Sequence, residues 1–223
     1  MGVFDKYTDK VYPYRWKVTL LVDEIHGGIP TDPKVAEGWI KTFLQPKEEI
    51  VQELVAKTLV ERGVTTGTAD LKEVIEDVIK ASQLNGFYRN AEGGLAIAGR
   101  HVKAMIKENA NIAWAKKRWG PSGKGTKSYF AEHVFIPEKV IPLGVTEPDG
   151  IDQRFVHTWR GAGIQYEEFV RDATVTFTMF SDFDMPESEW AQLWLRAQNN
   201  GLGAARSQGY GTFDTIGFDK IAA

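Results

Sequence analysis

Apolar and polar residues alternate near the start of the chain, over residues 15–25. Every second side chain from Trp16 to Val22 is apolar, and this period of two predicts a strand with one buried face. The strand leads into residues 26–33, where two glycines and two prolines interrupt regular pairing. We therefore expect a strand followed by a shaped loop, which is a common position for functional residues.

Apolar residues recur at helical spacing in two later segments, 47–62 and 70–81. We predict that these two helices form an insertion over residues 45–94 rather than a layer of the core. A third helix is predicted from Gly99 to Asn111, with apolar residues on one face and basic residues on the other.

The C-terminal third of the chain predicts a strand, a helix and a closing strand. Alternation indicates a strand over 173–179, and an i, i+3, i+4, i+7 apolar stripe indicates a helix that opens at Pro186. A final strand is predicted at 212–218, and a shorter one at 133–137. Repeated passages of strand, helix and strand favour an α+β fold with a modified ferredoxin-like (RRM-like) core, in a single domain over 1–223.

Composition narrows the classes of protein to which the chain can belong. Its 223 residues are 43% apolar and 26% charged, as in a compact globular domain, and none is cysteine. A disulfide framework, a zinc-thiolate cluster and a cysteine nucleophile are therefore excluded. The four histidines form no closely spaced ligand pair, so no histidine-based metal site is expected. Residues 1–16 lack the apolar run of a secretion signal, and we expect a cytoplasmic protein without a membrane span.

Charge is distributed unevenly along the chain, although the net charge is only −3. Residues 100–128 contain eight Lys and Arg against one acidic residue, whereas residues 129–223 contain seven against fourteen. Two interpretations of this basic segment stay open. It neutralises the phosphates of a nucleic acid, or it docks against an acidic surface of another copy of the chain.

The stretch from Trp114 to Lys127 mixes cations, two tryptophans and three glycines, which predicts a loop that becomes ordered on binding. Trp114 and Trp119 flank three consecutive cations, so base stacking beside phosphate neutralisation is physically reasonable. In the alternative interpretation the tryptophans belong to the core and the lysines are merely solvated. The density of uncompensated charge favours nucleic-acid binding.

A glycine-rich segment over 201–211 lies between the predicted helix and the last strand. It holds four glycines together with Arg206 and Ser207, a composition that lets backbone N–H groups approach a phosphate chain while one guanidinium supplies charge. Neither a Walker P-loop nor a dinucleotide fingerprint fits, because both require a helix after the loop. A flexible surface hairpin is the structural alternative.

A helix followed by Gly-Leu-Gly-Ala-Ala-Arg-Ser-Gln-Gly-Tyr-Gly-Thr-Phe and a strand resembles the glycine-rich signature of the RAMP superfamily, the RRM-like RNA-binding proteins of CRISPR effector complexes. Residues 95–108 resemble the small-residue turn and first core helix of that family. Residues 152–155 and 166–177 resemble the segment before the fourth strand in backbone subunits of type III complexes, and residues 26–28 resemble their first loop. The usual serine pair of the turn is Gly-Arg at 99–100 in this chain.

The resemblance implies an RNA-binding backbone subunit that oligomerises along a guide RNA and presents it for pairing with a target. The implied partners are the guide RNA, the complementary target nucleic acid, head-to-tail copies of the chain and other effector subunits, with no membrane. The candidate RNA-binding residues are Arg100, His101, Lys103, Lys107, Trp114, Lys116, Lys117, Arg118, Lys124, Lys127, Gly201, Gly203, Arg206, Ser207, Gly209 and Gly211.

By the same resemblance, an aspartate on the first loop of type III backbone subunits cleaves target RNA, which points to Asp32, with Mg²⁺ as its cofactor. Thr-Asp-Pro is also an ordinary turn sequence. His26 is a candidate general base for processing guide RNA. Three functions therefore stay open: a backbone subunit that binds RNA and needs no cofactor, a RAMP-type endoribonuclease, and a self-assembling structural protein, including one carried by a virus.

Overall fold

The computed structural model describes residues 8–30, 84–158 and 161–222. Its residues cluster into two compact units, the first made of residues 1–28, 87–150 and 169–223 and the second of 29–86 and 151–168. Within the described residues the helices and strands are, in chain order, α1 (Thr8–Val11), β1 (Tyr14–His26), β2 (Ile29–Pro30), β3 (Leu84–Gly86), β4 (Tyr88–Arg89), β5 (Leu95–Ala98), α2 (Gly99–Ala113), β6 (Arg118–Trp119), β7 (Lys124–Gly125), α3 (Thr126–His133), β8 (Val134–Phe135), β9 (Val140–Pro142), β10 (Gly150–Thr158), β11 (Gly161–Ser181), α4 (Glu187–Asn200) and β12 (Phe213–Ile221).

The main sheet of the first unit has the strand order β12-β1-β11-β8, and each pair of neighbours is antiparallel. Helix α4 joins β11 to β12, two strands that have β1 between them, and α2 lies in the chain between β1 and β8. This is the split β-α-β arrangement of a ferredoxin-like fold. The predicted α+β fold class is therefore confirmed.

The core of the first unit forms between this sheet and its helices. The apolar side chains of β1 point to one face because successive residues of a strand alternate, and Val18 lies opposite Phe177 of β11. Trp190 of α4 contacts Trp16, with ring centroids 5.0 Å apart. Each fully buried aliphatic or aromatic side chain stabilises such a core by about 1.5–3 kcal/mol. The predicted stripes of α2 and α4 are both buried, which confirms their helical period.

Two sequence predictions need correction. The stretch 114–127 is not a loop, because it contains the hairpin β6-β7 and the first residues of α3. The strand predicted at 133–137 is shorter, since His133 is the last residue of α3 and only Val134–Phe135 is strand. Residues 84–94 of the predicted insertion contain β3 and β4, and the helices predicted at 47–62 and 70–81 lie outside the described residues.

Strand β12 lies at the edge of the main sheet and, within the described chain, pairs only with β1. The pairing shifts register between Thr19 and Leu20, which marks a bulge in the ladder. Ile216 and Ile221 are exposed on this strand. None of the helices described here is long and apolar enough to cross a membrane.

The second unit is built around residues 161–168 of β11. Strand β3 pairs with β11 in parallel and with β2 in the antiparallel sense, and β10 also pairs with β11. Within this unit Arg154 of β10 forms an ion pair with Glu167 of β11, and both side chains are buried. A second carboxylate, that of Asp152, lies 3.9 Å from the same guanidinium.

Candidate nucleic-acid interface

The start of helix α2 is fixed by a close backbone contact. A Cβ atom at Gly99 would overlap the carbonyl oxygen of Glu138, so only glycine fits at this position. The Gly99 N–H donates a hydrogen bond of 3.1 Å to the Lys139 carbonyl oxygen. Glycine at 99, where the RAMP-like pattern has serine, is thus explained by packing against residues 136–140.

The exposed face of α2 is basic, as the sequence predicted. Arg100, Lys103 and Lys107 lie on one side of the helix, opposite the buried stripe that contains Val102 and Ile106. Partial burial lowers the pKa of Lys103, and the nearby charge of Lys107 lowers it further. No carboxylate in the described part of the chain lies within ion-pair distance of these three cations. Their charge is therefore available to a ligand.

Arg206 lies beside this face and is not free. Its guanidinium donates a hydrogen bond of 2.8 Å to Glu108, the one acidic residue of the basic segment 100–128. Burial lowers the pKa of His101, and the charges of Arg100 and Arg206 lower it further. The structure thus brings the helix face and the glycine-rich segment together, and burial with the two neighbouring guanidinium groups disfavours the protonated form of His101.

The four glycines of the segment 201–211 differ in their surroundings. A Cβ atom at Gly211 would overlap the Leu202 carbonyl oxygen, one at Gly201 would lie 2.5 Å from the Tyr210 carbonyl oxygen, and one at Gly203 would lie 3.0 Å from that of His26. At Gly209, by contrast, no atom lies within 4 Å of the added carbon. Three of these glycines therefore permit close packing of the protein against itself. Only Gly209 has open space for a ligand, with the exposed Ser207 near it in the chain.

Trp119 does not stack on bases, contrary to the sequence prediction. It is 8% exposed, its indole N–H donates to the Thr126 hydroxyl at 2.8 Å, and its ring stacks on Tyr129. Trp114 is half-buried and contacts Trp119 edge to face, with centroids 5.7 Å apart. The interpretation in which these tryptophans belong to the core is correct for Trp119. It holds in part for Trp114, which is half-buried.

The cations of the 114–127 stretch fall into two groups. Lys117 lies 3.9 Å from the centroid of the Trp119 ring and 3.0 Å from Glu189, and Lys124 pairs with Glu132. Among the described residues, the remaining three cations have no carboxylate within ion-pair distance. These three exposed cations are Lys116, Arg118 and Lys127. They follow the end of α2 and are separated from its start by the length of the helix, about 20 Å.

His26 is not placed to act as a general base on RNA. Its side chain is fully buried, its Nε2 atom lies 3.0 Å from Glu24, and its ring packs against Tyr210 at 4.1 Å. Burial acts to raise the pKa of Glu24, but hydrogen bonds from His26 and Arg171 outweigh it and lower the pKa overall. A base must reach the proton that it removes, so the burial of His26 argues against its predicted role as a general base. Asp32 lies outside the described residues.

Comparison with known proteins adds one finding. No protein family and no curated protein matches the sequence. Among solved structures, a chain of "Cryo-EM structure of the Type III-B Cmr-beta bound to cognate target RNA" superimposes with a TM-score of 0.51. This chain is similar in fold to that Cmr-beta chain. The match covers 98% of this chain but only 63% of the Cmr-beta chain, at 11% sequence identity.

The similarity to the Cmr-beta chain supports the fold, and the choice of interface residues rests on geometry. Sequence reasoning missed Tyr88, whose hydroxyl accepts a hydrogen bond from Arg100 and whose ring lies 6.1 Å from that of His101. It also missed Lys139, which lies beside the start of α2. Neither residue stands in a basic or glycine-rich stretch, so no local signal identified them.

Proposed function

We propose that this chain binds single-stranded RNA as a subunit of a CRISPR-type ribonucleoprotein. The observation that carries the proposal is the exposed face of α2, where Arg100, Lys103 and Lys107 have no acidic partner in the described part of the chain. These residues extend over about 10 Å of helix, and Arg206 borders them. Such a face binds the phosphates of any RNA sequence by releasing counterions.

Within such a particle, the chain acts as a RAMP-type backbone subunit that holds a guide RNA for pairing with a target. Two findings support this finer role: the fold resembles that of a chain in a particle bound to target RNA, and charge is segregated along the sequence. Residues 129–223 carry seven basic against fourteen acidic residues, so they complement the basic segment of a neighbouring copy. Copies joined head to tail in this way would form an open array, alongside other effector subunits.

The double variant Lys103→Ala/Lys107→Ala tests RNA binding. We expect weaker binding to every RNA sequence, because the lost contacts are to phosphates. For single strands, the slope of log K against log salt should become shallower by about 0.7 for each lost phosphate contact, or about 1.4 in total. Fluorescence anisotropy of a labelled 20-nucleotide RNA, titrated at several salt concentrations, measures both quantities.

Lys17→Ala is the matched control. Lys17 is an exposed cation on β1, and it points to the sheet face opposite the apolar residues that contact the helices. This variant should keep the wild-type slope. Equal slopes for the double variant and the wild type would refute the assignment of the α2 face.

Cleavage of bound RNA by Asp32 with Mg²⁺ remains a separate hypothesis. It rests on the resemblance alone, because Asp32 is outside the described residues. An Asp32→Ala variant that binds RNA normally and has lost a Mg²⁺-dependent cleavage would support it. Intact RNA after incubation of the wild-type chain with target, guide and Mg²⁺ would exclude it.

A further inference from the structure

A cleft lies beside the start of α2, within the first unit. It is an open cleft lined by residues at the start of the helix, by Tyr88 and by residues 135–140, and its volume is about 490 Å³. Cavities that hold small molecules or single nucleotides have volumes of roughly 300–1,000 Å³. The contact of Gly99 with the Glu138 backbone joins the helix to the opposite wall, so the cleft is preformed.

The walls of the cleft are largely apolar and include aromatic rings. Phe135 and Val140 are 43% and 42% exposed, so part of each apolar side chain is accessible to a ligand. The Phe135 ring is held in place because it stacks on Tyr12, with centroids 6.0 Å apart. Tyr88 is held by the hydrogen bond from Arg100 to its hydroxyl. Two oriented rings beside an aliphatic surface suit a flat aromatic ligand.

The rim of the cleft is positively charged. Arg100, Lys103 and Lys139 all line it, and the one acidic lining residue is Glu138. The Oε1 atom of Glu138 accepts a hydrogen bond of 2.8 Å from the backbone N–H of Thr178, which directs that carboxylate toward β11. The balance of charge therefore attracts an anion.

We propose that this cleft binds one nucleotide of a single-stranded RNA. The base occupies the apolar space between Phe135 and Tyr88, and the adjoining phosphate contacts Arg100, Lys103 and Lys139. Base stacking on protein aromatic rings tolerates any sequence, because every base has a π face. An apolar cleft alone would fit many partners, but the combination with three cations selects a ligand that is both aromatic and anionic.

The cleft is continuous with the basic face of α2, and this favours an RNA strand over a free nucleotide as the ligand. Lys103 lines the cleft and also lies one helical turn from Lys107 on the exposed face. A strand whose phosphates follow that face can therefore insert one base at the start of the helix. This inference rests on the proposed function, and it adds the place where a base is held.

Two variants test the cleft, each with a matched control. Phe135→Ala removes the aromatic wall, and Val140→Glu places a negative charge at the mouth of the cleft. Ile216→Ala and Lys17→Ala are the controls, because both side chains are exposed and neither lines the cleft. Circular dichroism and thermal unfolding confirm that each variant is folded before binding is measured.

Two readouts separate the cleft from the rest of the RNA interface. The first is titration with the four ribonucleoside 5′-monophosphates, followed by saturation-transfer NMR. The second is photo-crosslinking of a 20-nucleotide RNA containing 5-iodouridine, with the modified residue identified by mass spectrometry. We expect adducts on Phe135 or Tyr88, and we expect each cleft variant to weaken 20-nucleotide binding by at least about fivefold, the lower end for loss of one stacked base.

The outcomes are distinguishable. If both cleft variants keep the wild-type RNA affinity and the RNA crosslinks to residues outside the cleft, the proposal that the cleft binds a nucleotide is overturned. The proposed RNA binding would then still stand. If the wild-type chain binds no RNA, the proposed function fails. In that case, monophosphate binding that is lost in Phe135→Ala would identify a free nucleotide as the ligand and overturn the proposal that the cleft holds part of an RNA strand. Absence of monophosphate binding would overturn the proposal that the cleft binds a nucleotide at all.

Discussion

Alanine substitution of two glycines in the 201–211 segment should have very different costs, although their backbones are similar. Gly209 and Gly211 both have positive φ, at 92° and 76°. An added Cβ atom at Gly209 meets no atom within 4 Å, whereas at Gly211 it overlaps the Leu202 carbonyl oxygen. The pair therefore separates the cost of the backbone conformation from the cost of a steric overlap.

The expected magnitudes follow from the contacts. For Gly209→Ala only the left-handed conformation is penalised, at about 1–2 kcal/mol. Gly211→Ala carries the same penalty and must also move the backbone away from Leu202. That movement breaks the 2.8 Å hydrogen bonds from Leu202 N–H to the Gly211 carbonyl oxygen and from Gly211 N–H to the Glu24 carbonyl oxygen. At about 1 kcal/mol for each bond, the total reaches about 4 kcal/mol before any remaining overlap is counted.

Thermal unfolding followed by circular dichroism measures the difference. In a domain of this size 1 kcal/mol corresponds to a Tm change of about 2–4 °C, so we expect a loss of about 4 °C for Gly209→Ala and of at least about 8 °C for Gly211→Ala. Urea unfolding at 25 °C gives the free energies directly. Equal losses in the two variants would refute the reasoning, because they would mean that the Leu202 contact does not constrain the segment.

Three further substitutions test charges described above. Glu108→Gln removes the carboxylate paired with Arg206, and we expect tighter RNA binding in anisotropy titrations with a salt slope steeper by about 0.7; an unchanged slope would place Arg206 outside the interface. The pKa of His101 is lowered in the folded chain, so the unfolded chain binds the proton more readily and stability falls as the pH drops below the ordinary His pKa of 6.5. His101→Gln should therefore show a smaller loss of Tm between pH 7 and pH 5 than the wild type. Equal losses would contradict this. Arg154→Ala removes the guanidinium of a buried ion pair with Glu167 and should cost about 3–5 kcal/mol in urea unfolding, whereas a cost below about 1 kcal/mol would show that the pair is solvated.

The periodic parts of the fold were predictable because their patterns are local. Helix α2 shows its buried and basic faces within 15 residues, and β1 shows its alternation within a single strand. The resemblance seen in the glycine-rich segment implied an RRM-like core, and the similarity in fold to the Cmr-beta chain supports that fold class. In each case residues near one another in the sequence carried the signal.

The environments of single side chains were not predictable, because distant residues determine them. Trp119 lies in a cationic stretch, but its position is fixed by Tyr129 and by Phe183, which comes from beyond β11. His26 is the last residue of β1, a position next to a loop where side chains are often exposed, yet Tyr210 covers its ring. The glycines of the 201–211 segment suggested a phosphate cradle, while Gly203 packs closely against the Ile25 side chain and the carbonyl oxygen of His26. Composition describes a stretch of chain and does not reveal what packs on it.

The bulge opposite Thr19 and Leu20 has a consequence for how copies of this protein can join. A straight, unpaired edge strand acts as a template to which a strand of another molecule can be added, and uncontrolled addition leads to fibrous aggregates. The register shift twists β12, and the charged side chains of Asp219 and Lys220 follow the bulge on the same strand. Growth of one continuous sheet from copy to copy is thereby disfavoured. An array of these chains would have to be joined through side-chain surfaces or through a shared RNA, and only in the second case would digestion of the RNA take it apart.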